Sequence, residues 1–174
     1  MATVDLRELK ILVIDDSRDM QLIIKSILHE LGVKYVRVVS DAALGFQELQ
    51  GFPADLIIVD WHMEPLDGLD FVRLVRNAKD SRNPYVPIIM LTGFTEHRRI
   101  TEARDAGVNE YLAKPVSVQS VASRIVSMIN NPRPFIRTKK YFGPCRRRQN
   151  YGVPRGMKER RHSDPVSSAE RPLV

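Results

Sequence analysis

Long apolar runs and cysteines are both scarce in this sequence of 174 residues. No stretch reaches the roughly 18 consecutive apolar residues that mark a membrane span, so we expect no membrane insertion. The first ten residues, MATVDLRELK, carry charges where a secretory signal needs an apolar stretch, which favours a cytoplasmic protein. The single cysteine, Cys145, cannot form an internal disulfide, and the four histidines stand too far apart to indicate a zinc site.

Charge is divided unevenly along the chain. Residues 131–174 carry 12 Lys and Arg against 3 Asp and Glu, a net of +9, whereas residues 1–130 carry 15 against 18, a net of −3. Apolar periodicity also stops near Asn130, where Pro, Gly and Arg become frequent. We therefore divide the chain into a mildly acidic domain, residues 1–130, and an arginine-rich flexible tail, residues 131–174.

Short apolar runs alternate with helical periodicity throughout the first 130 residues. The runs Ile11–Ile14 and Leu56–Val59 are rich in β-branched residues and are typical of strands buried on both faces. Between them, apolar residues recur at steps of three and four, which is the pattern of amphipathic helices. Five such strand–helix pairs predict an α/β fold with a parallel sheet covered by helices on both faces.

Polar side chains directly follow four of the five predicted strands. Asp15 and Asp16 follow the first, Asp60 the third, Thr92 the fourth and Lys114 the fifth. Because ligands of parallel sheets bind beyond the carboxyl ends of the strands, we expect these five residues at one edge. Three neighbouring carboxylates repel one another without a cation, and Mg²⁺ prefers such oxygen ligands. A carboxylate can also act as a nucleophile toward phosphorus, so the pattern predicts Mg²⁺-dependent phosphoryl transfer.

Four motifs, taken as a set, resemble the receiver domains of response regulators, the CheY-like family of two-component signalling. They are Asp15–Asp16, the segment DWHMEPLDG at 60–68, Leu91–Gly93 and Lys114–Pro115. The resemblance spans about residues 8–130 and implies a flavodoxin-like (βα)5 sheet with the strand order 2-1-3-4-5. It also implies that a histidine kinase or a phosphotransfer protein phosphorylates Asp60.

The resemblance further implies a metal site. Asp16 and Asp60 would bind Mg²⁺ directly, Asp15 would bind it mainly through water, and the carbonyl oxygen of His62 would complete the set.

The remaining roles concern the phosphoryl group and the output. Lys114 would contact the phosphoryl group and would precede a cis bond to Pro115, while Thr92 and Tyr111 would form a switch that reshapes a protein-binding face. We expect a monomer whose output is contact with another protein, and no enzymatic activity beyond self-phosphorylation and autodephosphorylation.

One position departs from the family pattern. Receivers usually have proline four residues after the phosphorylated aspartate, but here that position is Glu64 and the proline is Pro65. The spacing to Asp67–Gly68 is kept, so we expect an altered loop and an intact site. Either Glu64 tunes metal affinity and phosphate lifetime, or it faces solvent.

The tail has many prolines and charges and no sustained apolar periodicity, so we expect it to be disordered. Its arginines are interspersed with aromatic residues, and arginine binds phosphate bidentately, stacks on rings and pairs with guanine. The tail is similar to the arginine-rich extensions of stand-alone CheY-like proteins that bind cyclic di-GMP, some of which act at the flagellar motor. The candidate ligand-binding residues are Arg133, Arg137, Tyr141, Phe142, Arg146, Arg147, Arg148, Tyr151 and Arg155.

Two other interpretations of the tail stay open. The tail could be a solvated basic extension without a specific ligand, or a receiver-controlled segment that binds RNA or DNA through the same side chains. A specific nucleotide site saturates and prefers guanine, whereas polyanion binding ignores the base and weakens steeply with salt.

Overall fold

The computed structural model describes residues 5–93, 97–146 and 165–166. Strands and helices alternate through the first 130 residues, as the sequence pattern predicts. The strands are β1 (Lys10–Ile14), β2 (Tyr35–Val39), β3 (Leu56–Asp60), β4 (Ile88–Thr92) and β5 (Glu110–Ala113). The helices are α1 (Arg18–Glu30), α2 (Ala42–Gly51), α3 (Gly68–Asn77), α4 (His97–Ala106) and α5 (Val118–Asn130). All five strands pair in parallel in the order β2-β1-β3-β4-β5, which confirms the predicted sheet.

The sheet separates two layers of apolar side chains. Successive residues of a strand point to opposite faces, so Ile11 and Val13 pack with α1 and α5, whereas Leu12 and Ile14 pack with α2, α3 and α4. All residues of β3 and β4 are buried, as expected of central strands covered by helices on both sides. Among the described residues, no helix has the length and apolar character needed to cross a membrane.

Four helices begin at a polar side chain that accepts a hydrogen bond from the first turn. These N-caps are Ser17, Asp41, Asp67 and Ser117. Each cap satisfies a backbone N–H group that has no partner inside its helix. Because each helix follows a strand and runs back along the sheet, these helix N-termini lie at the edge where the strands end.

The segment after α5 departs from the expectation of a disordered tail. Strands β6 (Phe135–Arg137) and β7 (Phe142–Pro144) form an antiparallel hairpin, and β8 (Pro165–Val166) pairs with the other edge of β6. We call residues 135–144 the hairpin.

The hairpin is ordered because its apolar side chains pack against Tyr85, a residue of the five-stranded domain. Phe135 and Phe142 are only 4% and 5% exposed, and their rings lie 5.2 Å from the ring of Tyr85, which precedes β4. Burying a phenylalanine side chain contributes roughly 1.5–3 kcal/mol. The tail has too few apolar residues to form a core of its own, so its composition predicts disorder. Packing against Tyr85 supplies the missing apolar contacts.

Candidate functional site

The structure brings the five predicted site residues together at the carboxyl edge of the sheet. Lys114 Nζ lies 2.8 Å from Asp60 Oδ1 and 3.5 Å from Asp15 Oδ2. Carboxylate oxygens of Asp15, Asp16 and Asp60 all lie within 4.8 Å of one another. The parallel strands produce this arrangement, since β1, β3 and β5 end at the same edge and differ only in which side chain follows.

Asp15 carries the clearest electrostatic imbalance in the site. Its side chain is fully buried, and Oδ1 accepts a hydrogen bond from the Ser17 N–H at 2.9 Å. Oδ2 accepts no hydrogen bond from any described residue, and the Lys114 ammonium is 3.5 Å away. Burial raises the pKa of the Asp15 carboxyl, and the nearby Asp60 carboxylate raises it further, against the lowering effects of Ser17 and Lys114. A buried, incompletely paired carboxylate oxygen is the feature that a bound cation would satisfy.

The three carboxylates fit a hard divalent cation. Asp16 is exposed, whereas Asp15 and Asp60 are buried, so a metal ion could bind protein oxygens on one side and keep waters on the other. This donor set is the one Mg²⁺ prefers. The side chain of His62 is exposed, and the role of its carbonyl oxygen as a ligand stays a prediction.

Thr92 and Lys114 are held next to each other by the backbone. The Lys114 N–H donates to the Thr92 carbonyl oxygen at 2.8 Å, directly beyond the last pair of β4 and β5. Thr92 is 2% exposed, and the peptide bond from Lys114 to Pro115 is cis, as the resemblance implied. Tyr111 lies within β5 and is partly buried. The switch role of Thr92 and Tyr111 stays a prediction.

The loop after Asp60 is fixed by a close backbone approach. A Cβ atom on Gly68 would overlap the carbonyl oxygen of Asp60, so only glycine fits at the start of α3. The Gly68 N–H donates to the carbonyl oxygen of Trp61 at 2.9 Å, and Asp67 caps the helix. Glu64 faces solvent, and its peptide bond to Pro65 is cis.

Five of the nine predicted tail residues lie in the described part of the chain. They make contacts in the hairpin and at its two ends: the Arg137 guanidinium lies 4.0 Å from the centre of the Phe142 ring, and that of Arg146 lies 4.3 Å from the centre of the Tyr141 ring. Arg133 donates to the backbone carbonyl oxygens of Asn109, before β5, and of Cys145, directly after the hairpin.

The other four predicted tail residues lie outside the described residues. They are Arg147, Arg148, Tyr151 and Arg155.

Sequence reasoning missed two polar residues at the opposite edge of the sheet, the buried Arg76 and the partly buried Asn109. Arg76 is 1% exposed, and the Asn109 side chain accepts one of its hydrogen bonds at 2.9 Å. In the sequence, Arg76 resembles an ordinary basic residue in the last turn of a helix. The only available signal was its place beside Val75 on the apolar face of α3.

Comparison with known proteins gives a consistent assignment. Residues 11–126 match the family model described as the response regulator receiver domain, so the match stops before the hairpin. The chain is 34% identical over 117 residues to the chemotaxis protein CheY of Pseudomonas aeruginosa, covering 67% of this chain and 93% of that protein. It is 36% identical over 118 residues to CheY1 of Helicobacter pylori, covering 67% and 94%.

Solved structures agree with the sequence comparison. Vibrio cholerae CheY4 superimposes with a TM-score of 0.63 at 27% identity, covering 68% of this chain and 96% of that one. The receiver domain of a Pseudomonas aeruginosa sensor histidine kinase, solved with magnesium in its active site cleft, gives 0.59 at 30% identity, covering 68% and 94%. With the predicted sheet order, the acidic edge and a family match over most of its length, this chain belongs to the response regulator receiver domain family.

Proposed function

We propose that this CheY-like receiver accepts a phosphoryl group on Asp60 from a histidine kinase or a phosphotransfer protein. The observation that carries the proposal is the position of the Asp60 carboxylate, 2.8 Å from the Lys114 ammonium and beside two further carboxylates. The relatives named as chemotaxis proteins and the receiver of a sensor histidine kinase support the same signalling class.

The chemistry follows from the charges at the site. An Asp60 oxygen attacks phosphorus as the bond to the donor nitrogen breaks, and water later returns inorganic phosphate from the acyl phosphate. A Mg²⁺ ion held by Asp15, Asp16 and Asp60 would offset the repulsion between their carboxylates and the incoming phosphoryl oxygens. Lys114 offers a positive charge to one phosphoryl oxygen.

The Thr92 hydroxyl offers a hydrogen bond to another phosphoryl oxygen, so phosphorylation would bias the arrangement of β4 and its neighbours. We propose that the output is protein–protein contact by a monomer in the cytoplasm. Beyond self-phosphorylation and autodephosphorylation we propose no enzymatic activity. The chemotaxis relatives make the flagellar motor switch the first output target to examine.

The test is labelling with a radioactive phosphodonor such as acetyl phosphate in the presence of Mg²⁺. Wild type should incorporate acid-stable, base-labile phosphate, and Asp60→Asn should lose it. The control is Asp80→Asn, which removes one exposed carboxylate from the loop after α3 and should label like wild type. Equal labelling of wild type and Asp60→Asn would contradict the proposal.

We further propose that the arginine-rich tail binds cyclic di-GMP. The proposal is supported by the Arg133–Arg137 spacing and by the exposed Arg137 guanidinium stacked on Phe142, which shows that tail arginines pair with rings. Arg133 and Phe142 are already engaged within the hairpin, so the ligand would have to rely mainly on Arg137 and the arginines after Arg146.

Calorimetric titration at two salt concentrations tests this second proposal. The full chain should give saturable, guanine-selective heat with cyclic di-GMP, and Arg147→Ala/Arg148→Ala should lose it. The control, Arg18→Ala/Lys25→Ala, removes the same charge from exposed positions of α1 and should bind like wild type. Absence of heat would leave the tail without this ligand. If the tail instead binds any polyanion, with an affinity that falls as salt is added, the RNA- or DNA-binding alternative is favoured.

A further inference from the structure

A network of buried hydrogen bonds lies at the amino-terminal edge of the sheet, opposite the phosphorylation site. The Arg76 guanidinium donates to the carbonyl oxygens of Gly107, Pro84 and Val86 at 3.1, 2.7 and 2.8 Å, and to Asn109 Oδ1 at 2.9 Å. All four partners are neutral oxygens. Burial lowers the pKa of Arg76 to about 9, which still leaves a cation at neutral pH. This network joins α3, the loop before β4 and the loop before β5.

Asn109 connects that network to the hairpin. Its Oδ1 also accepts a hydrogen bond from the Ile88 N–H at 3.0 Å, which fixes the first residue of β4. Its backbone carbonyl oxygen accepts a hydrogen bond from the Arg133 guanidinium, which leads into β6. The ring of Phe135 lies 5.1 Å from the Arg76 guanidinium carbon, so the hairpin also covers the buried cation.

Two glycines allow the hairpin backbone to approach the receiver backbone directly. A Cβ atom on Gly143 would lie 2.8 Å from the Cα atom of Gly107, and one on Gly107 would lie 3.0 Å from the Phe142 carbonyl oxygen. Gly107 has φ +102°, a conformation that L residues with side chains rarely adopt. The hairpin therefore docks at a defined position between α4 and β5.

Besides α3 and Tyr85, the hairpin segment contacts two elements that lead directly to the phosphorylation site, α4 and the start of β5. Arg146 Nε lies 3.4 Å from Asp105 Oδ1 on α4, the helix that follows the Thr92 loop. Asn109 directly precedes β5, which ends next to Lys114. A displacement of α4 or β5 at the site would therefore alter contacts that hold the hairpin.

We infer that hairpin docking and the phosphorylation state of the receiver are thermodynamically coupled through α4 and β5. This inference rests on the proposed phosphorylation of Asp60. The docked contacts occur together with the direct contact of Lys114 Nζ with the Asp60 carboxylate, which a phosphoryl group on Asp60 would replace. Phosphorylation that rearranges α4 and β5 therefore weakens the docked contacts and favours the undocked hairpin. Linkage makes the effect reciprocal, since undocking must favour phosphorylation by the same factor.

Cys145 offers a direct measurement of docking because it is the only cysteine of the chain. It is partly buried at the end of the hairpin, its N–H donates to the Pro134 carbonyl oxygen at 2.7 Å, and its own carbonyl oxygen accepts a hydrogen bond from Arg133. The rate of thiol labelling in the full chain should therefore rise when the hairpin undocks.

The experiment measures that rate with and without acetyl phosphate and Mg²⁺, alongside the phosphate incorporated on Asp60. We expect phosphorylation to raise the labelling rate at least about fivefold, the lower end of typical allosteric coupling. Asp60→Asn should show no such rise. Incorporated phosphate with an unchanged or lower labelling rate would overturn the inference alone. A folded protein that incorporates no phosphate would overturn the proposed function as well.

A matched pair of glycine variants tests the mechanism. Gly143→Ala introduces the Cβ overlap with Gly107, so it should raise the labelling rate without phosphate and increase the steady-state phosphorylation. Gly51→Ala, whose Cβ meets no atom within 4 Å, should match wild type in both measurements. If Gly143→Ala is labelled fast but is phosphorylated like wild type, undocking does not affect phosphorylation. That result would contradict the inference.

Discussion

The two edges of the sheet differ in how completely their buried charges are paired. At the carboxyl edge, three carboxylates lie together, Lys114 pairs with two of them, and the buried Oδ2 of Asp15 accepts no hydrogen bond from a described residue. At the amino edge, the buried Arg76 donates to four neutral oxygens and is covered by an aromatic ring. An edge whose charges are incompletely compensated is suited to bind a ligand, whereas an edge whose charge is fully hydrogen-bonded contributes to stability.

The difference predicts that neutralising a buried charge has opposite effects at the two edges. The amino edge should lose stability, because removing the cation leaves carbonyl oxygens without donors. The carboxyl edge should gain stability when no metal is bound, because the removed carboxylate was incompletely paired.

The largest effect is expected from Arg76→Met. The variant removes the Arg76 donors from three backbone carbonyl oxygens and Asn109, so the free energy of unfolding should fall by about 3 kcal/mol, measured by urea denaturation. Relief of the desolvation of the guanidinium offsets only part of this loss. The control Arg73→Met changes an exposed residue of the same helix, 58% exposed and paired with Asp70, and should cost less than about 0.5 kcal/mol. If the two variants are equally stable, the Arg76 hydrogen bonds do not stabilise the amino edge, and the proposed difference between the edges is wrong.

An intermediate effect is expected from Mg²⁺. At a concentration about 100 times its dissociation constant, a ligand bound only by the folded state adds about 2.7 kcal/mol to the free energy of unfolding. The dissociation constant can be followed by the fluorescence of Trp61, the only tryptophan, which is buried next to Asp60. Asp16→Asn should lose most of this stabilisation, whereas Asp19→Asn, an exposed aspartate on α1, should retain it. A metal effect that survives in Asp16→Asn would place the ion elsewhere.

The smallest effect is expected from Asp15→Asn without metal. The amide can still accept the hydrogen bond from Ser17 and removes a buried charge, so the variant should be more stable than wild type by about 1 kcal/mol. It should also lose the stabilisation by Mg²⁺. The measurement is urea denaturation in the presence of a chelator, with Asp80→Asn as the neutral control. A less stable Asp15→Asn would mean that its carboxylate is already compensated.

The carboxyl edge could be predicted from the sequence because each of its residues lies at the end of an apolar strand or within two residues beyond it. Parallel strands place Asp15, Asp60 and Lys114 at one edge whatever the details of packing. The amino edge could not be predicted in this way. Arg76 is separated by 31 and 33 residues from its partners Gly107 and Asn109. Its place on the apolar face of α3 indicates burial, but nothing in the local sequence indicates these partners.

The hairpin could not be predicted from the sequence for a related reason. Phe135 and Phe142 lie among prolines and charged residues, and their burial depends on Tyr85, which lies 50 residues earlier than Phe135. Composition describes a segment by itself, whereas the hairpin is stabilised by contacts with a different part of the chain.

The Tyr85–Phe135–Phe142 cluster determines how the protein can be dissected. A protein cut after residue 130, where α5 ends, would expose the Tyr85 ring and one face of Arg76 to water. Such a fragment lacks both the tail arginines and the packing of the hairpin. A difference in ligand binding between the fragment and the whole chain could therefore come from either. Point substitutions in the intact chain separate these losses, so they are the appropriate way to assign a function to the tail.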